Sequence, residues 1–133
     1  MSSIQHLKLL INLARSDGNF DEKERQYIIN IGQANHLLVA EILPLFSVEQ
    51  DPIVPADLTM EEKFDYIFSL IQLMKIDEKI YQNEIQYCAK VASALGYRRE
   101  VLVELMLKIK IAAMEKGEID ALKKLTATYL LHS

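Results

Sequence analysis

The sequence predicts an all-α fold, a single-domain helical bundle of about seven helices, and three observations lead there. Apolar residues recur at helical spacing almost everywhere along the 133 residues, while the two-residue alternation of strands is nearly absent. Helix-opening pairs (Asp21 with Glu24, Thr59 with Glu62) and helix-closing glycines (Gly96, Gly117) punctuate the apolar runs. Half of the residues are hydrophobic and 26% are charged, the composition of a chain that buries a core without disulfides or metal.

Taken in order, Ile4, Leu7, Leu10, Ile11 and Ala14 line one face of a first helix ending near Ser16. The Asp21/Glu24 capping box opens a second, which runs through Tyr27, Ile28 and Ile31 to about Asn35. A shorter helix from Leu37 to Phe46 is kinked or cut short by Pro44, whose ring removes a backbone donor. The stretch 47–58, "SVEQDPIVPADL", with Pro52 and Pro55, is the one long connection. Thr59 and Glu62 then open a helix reaching Lys75 or Ile76, and another spans Gln82–Leu95 with Gly96 closing it. "REVLVELMLKIKIAAMEK" is apolar on nearly every side apart from a stripe of Glu100, Glu104 and Lys108. It predicts a long buried central helix ending at Gly117, with Leu105, Met106 and Ile109 inside. A last helix covers Asp120–Leu131, so that C-terminal helices occupy 98–132.

Charge and cysteine narrow the function classes. The net charge is −4, and the surplus sits in residues 1–60, which carry eight acids and four bases. No clustered basic face exists to bind nucleic acid, since Arg98-Arg99 and Lys123-Lys124 are isolated pairs. Cys88 is the single cysteine, which excludes a disulfide framework and a Cys-rich zinc motif and points to a reducing, cytoplasmic setting. The N-terminal "IQHLKLLINLA" is too interrupted by polar residues for a signal-peptide core or a membrane span.

Laid on itself at an offset of sixty residues, the chain matches "LINLARSDGNFDEKERQYIINIGQA" with "LIQLMKIDEKIYQNEIQYCAKVASA". Asp17 falls on Asp77, Glu24 on Glu84 and Tyr27 on Tyr87. Two pseudo-symmetric helix-loop-helix repeats, 4–36 and 64–97, are therefore expected. At these residues the chain resembles the TerB-like family, the tellurite-resistance proteins and the related N-terminal domain of membrane-anchored co-chaperones. The shared pattern is a helix ending in Ala-x-x-Asp-Gly, a short loop and a Glu opening the next helix, here "ARSDGNFDEKE". In the second unit Met74 stands for the Ala, Glu78 for the Gly, and Lys79 where the first loop has Asn19. The resemblance implies an all-helical, non-enzymatic module of stress response, associated with proteins or peripherally with membrane complexes. It also implies a divalent cation held by the loop acids, and residue by residue it transfers Asp17, Glu24, Asp77 and Glu84.

The first loop has two readings. Asp17, Asn19, Asp21, Glu22 and Glu24 are oxygen donors of the kind that calcium or magnesium takes. Counted from Asp17, however, the sixth and twelfth positions are Glu22 and Ile28, so the loop is not an EF-hand. Alternatively Asp17-Gly18 is a turn pair, Asp21 caps a helix and Glu24 completes the box. Capping leaves one feature unexplained: Tyr81 replaces Asp21 in the second unit, yet Glu84 remains.

Elsewhere His6, His36 and His132 lack ligand spacing and read as surface or packing residues, and Cys88 as an inert buried thiol. No catalytic residues and no cofactor other than the cation are assigned. A protein-binding module comes first; a small metal-assisted enzyme using the paired Asp and Glu, and a purely structural oligomerisation domain, are the alternatives.

Overall fold

The computed structural model describes residues 3–16, 21–47, 54–55, 57–76, 82–110 and 114–130, and among these it is all-helical. The elements are α1 (Ser3–Arg15), α2 (Glu22–Ala34), α3 (Val39–Ile42), α4 (Met60–Ile76), α5 (Gln82–Leu95), α6 (Val101–Lys108) and α7 (Lys116–Ala127). A 3₁₀ turn over Leu43–Phe46 continues α3, because Pro44 cannot donate to an α-helical ladder. Both expected capping boxes form. The Glu24 amide donates to Asp21 Oδ1 (3.0 Å) and the Glu62 amide to Thr59 Oγ1 (3.1 Å).

The centre of the fold is α4, not the 99–116 stretch. Phe64, Tyr66, Ile67, Leu70, Ile71, Leu73 and Met74 are all buried, and α4 packs against α1, α2, α5, α6 and α7. The long central helix expected near the C-terminus is instead the eight-residue α6. Ile109 leaves the helix at φ −78°, ψ 128°, an extended conformation that suits a β-branched residue. Lys75 Nζ donates to the Met106 and Ile109 carbonyls (2.8 and 2.5 Å), satisfying the end of the helix. Leu105 and Ile109 are buried as expected, but Met106 is only partly so, while Val103 and Leu107 face outward at 62% and 78% exposure. Gly117 does not close a helix: it lies in the first turn of α7, which begins at Lys116 rather than near Asp120.

Several features recur sixty residues apart. Burial is identical position by position between 6–16 and 66–76, and again between 22–28 and 82–88. The only described residues with left-handed backbone are His36 (φ 68°) and Gly96 (φ 95°). Each follows a helix whose end is tied in the same way, Leu37 amide to Gly32 carbonyl and Tyr97 amide to Ala92 carbonyl, both 3.0 Å. Arg15 donates to the Phe46 carbonyl, as Lys75 does to that of Met106. Tyr27 Oη donates to Gln72 Oε1 (2.6 Å), and Tyr87 hydrogen-bonds the Asn12 side chain. The two tyrosines thus exchange partners between α1–α2 and α4–α5. His6 and Tyr66, also sixty apart, stack on each other with ring centroids 4.4 Å apart.

Candidate functional site

Two places gather polar side chains that a helical core does not require. The first is the end of the bundle where the hairpins turn. Asn83, in the first turn of α5, donates to the carbonyl of Ser16 after α1, so the start of α5 meets the end of α1. Glu24 and Glu84 open α2 and α5 there, and both are buried to 1% exposure. Among the described residues four glutamates accept from an N-cap amide: Glu24 (3.3 Å), Glu41 (2.9 Å), Glu62 (2.9 Å) and Glu118 (3.1 Å). Of these only Glu24 is buried. Capping therefore does not demand burial, which is costly for a carboxylate. Burial, with the nearby Glu84 charge adding to it, pushes the Cys88 thiol up to about 12, so that thiol is inert.

Of the residues singled out in the loops, Asp21 is the half-buried N-cap of α2, while Asp17, Asn19 and Asp77 lie outside the described residues. Among the described residues no three of His, Cys, Asp or Glu converge as a metal centre.

The second place is a cavity of about 340 Å³ between α1, α2 and α4. Its wall includes His6, Tyr27, Glu62, Asp65, Ser69 and Gln72. His6 is buried rather than at the surface, and its Nε2 lies 2.5 Å from Ser69 Oγ. The Ser69 hydroxyl donates back to the carbonyls of Asp65 (2.8 Å) and Tyr66 (3.1 Å), which makes His6 Nε2–H the donor to Ser69. Burial lowers the His6 pKa to about 4, so the ring is neutral at physiological pH. Asp65 stands at the solvent-exposed rim of the cavity, where partial burial raises its carboxyl; Lys123 opposes this and Glu61 and Glu62 add to it.

This cavity escaped sequence reasoning, although the repeat held a signal. At an offset of sixty, Ser69 falls on Leu9 and His6 on Tyr66, so polar residues stand in one copy where the other is apolar or aromatic. A Ser-His pair alone does not make a nucleophile here, since Ser69 is 2% exposed in mid-helix and its proton is directed to the backbone.

Among the described residues no helix is long and apolar enough to cross a membrane. Among the described residues the exposed large apolar side chains are Leu38, Val39 and Leu43 around α3, Met60, and Val103 and Leu107 on α6. No protein-family model matches the chain, and no curated protein or solved structure matches it.

Proposed function

We propose that the chain is a non-enzymatic helical interaction module of the TerB-like kind, whose hairpin tips take a hard divalent cation. The observation that carries this reading is the burial of Glu24 and Glu84, sixty residues apart, at equivalent points behind two acidic loops. A buried carboxylate at a helix start is an oxygen donor already desolvated and held in place, which a hard cation can draw on. Asp17 and Asp77, placed by sequence just before them, supply the further oxygens that calcium or magnesium needs. Outward-facing Leu43 and Val103, also sixty apart, support protein contacts through the short helices that follow each hairpin.

The test compares thermal melts in millimolar calcium or magnesium with melts in sodium chloride at matched ionic strength. A cation bound to the folded state raises the melting temperature by mass action, beyond the screening that sodium produces. The gain is expected to disappear in Glu24→Gln with Glu84→Gln and in Asp17→Asn with Asp77→Asn. Equal effects of divalent and monovalent salt would leave the loops as turns and remove the cation from the proposal.

A further inference from the structure

The cavity between α1, α2 and α4 has an internal control, a second cavity of about 360 Å³ whose wall shares four positions with it at an offset of sixty residues. Tyr27, Ile31, Ser69 and Gln72 of the first correspond at sixty residues to Tyr87, Val91, Leu9 and Asn12 of the second. The two share size, tyrosine and amide, but their chemistry has diverged. The second has Leu9 where the first has Ser69, and its one charged wall residue is Lys90. The first has no basic wall residue except neutral His6, and it carries Glu62 and Asp65 beside the Tyr66 and Phe68 rings. The second cavity, between α1 and α5, is built with Leu9 at the position of Ser69 and has no buried polar pair like His6–Ser69.

We propose that the cavity between α1, α2 and α4 binds a small organic cation of the alkylammonium or guanidinium class. The Asp65 carboxylate supplies the charge partner, Phe68 supplies a π-face, and Ser69, Gln72 and the Tyr27 hydroxyl fix orientation. Its volume suits one such head group with a short alkyl stem, near the lower end of ligand pockets, roughly 300–1,000 Å³. Lys123 also acts on Asp65, but it lines a separate cavity with Phe64 and Tyr97, and the carboxyl stays raised with Lys123 present. This site is separate from the hairpin tips and does not rest on the cation reading there.

Amide-resolved NMR titration of the whole chain tests it with n-butylammonium and methylguanidinium chloride, set against 1-butanol and sodium chloride. A saturable response is expected at Tyr27, Tyr66, Ser69 and Gln72 with the two organic cations only, leaving Tyr87, Val91 and Ala94 unmoved. Asp65→Asn, with its fold checked by melting, is expected to weaken binding at least about tenfold, as loss of a charge-assisted hydrogen bond does. Ser69→Leu, which imports the second cavity's residue and fills the first, is expected to abolish the response in a folded protein. A lysine-containing peptide added in a further arm identifies the source: tighter binding than n-butylammonium points to a protein side chain, weaker binding to a free amine. The proposal fails if butanol acts as well as butylammonium, if sodium chloride reproduces the shifts, or if folded Asp65→Asn binds unchanged.

Discussion

His6 shows what decides between the two places open to a lone histidine. A lone histidine among apolar neighbours carries no ligand spacing, and sequence could assign it either to the surface or to packing. It is packed, on Tyr66, with its ring proton on Ser69. The consequence is a stability that depends on pH. Because the folded pKa of about 4 lies below the ordinary value of 6.5, the unfolded chain takes up a proton first as pH falls. Stability from this group is complete above about pH 6.5 and is lost progressively down to about pH 4. The loss is on the order of 3 kcal/mol for a shift of this size. Denaturant titrations at pH 7 and pH 4.5 are expected to differ less for His6→Phe than for the native chain; an equal difference would place the acid sensitivity elsewhere. The recurrence of Glu24 at Glu84 was legible in the sequence, whereas their burial was not, since a capping glutamate reads the same in sequence whether solvent covers it or not.

Among elements, α1, α2, α4 and α5 were legible because their apolar stripes and start and stop residues agree. The C-terminal third was not. Apolar residues on every side of 99–116 read as a buried helix, but Ile109 turns extended and Lys75, thirty-four residues earlier in sequence, terminates the helix from across the core. That is a tertiary contact, invisible to periodicity. The outcome divides α6 sharply. Leu105→Ala is expected to cost roughly 2 to 5 kcal/mol, as deletion of a fully buried side chain does. Leu107→Ala, at 78% exposure, should stay within about 0.5 kcal/mol. Equal losses in chemical denaturation would restore the buried helix. Helix closure makes a second contrast, because Gly96 suits its left-handed backbone and His36 does not. His36→Gly is expected to raise stability by about 0.5 to 1 kcal/mol and Gly96→Ala to lower it by at least as much. A destabilised His36→Gly would show that the imidazole makes contacts worth more than the backbone relief.

At the scale of the whole molecule, the recurrence sixty residues apart raises the question of whether the halves are units or parts of one unit. Each hairpin alone would expose the face it now buries, because Leu10, Ile11 and Leu13 of α1 and Leu70, Ile71 and Leu73 of α4 are fully buried, and α1 packs on α4. The exchanged bonds of Tyr27 to Gln72 and of Tyr87 to Leu9 and Asn12 also cross between the halves. Neither half therefore has a core of its own, and cooperativity should be shared. Leu13→Ala and Leu73→Ala, at corresponding positions, are expected to lower the same single transition by similar amounts, roughly 2 to 5 kcal/mol each. The slowest hydrogen exchange should lie at residues 10–14 of α1 and 70–74 of α4, opening only with global unfolding. The short α3 and α6, which carry outward-facing Leu43, Val103 and Leu107, should exchange faster through local opening. Separate transitions, with Leu13→Ala shifting one and Leu73→Ala the other, would mean two autonomous hairpins and would remove the interface between α1 and α4 as the source of stability.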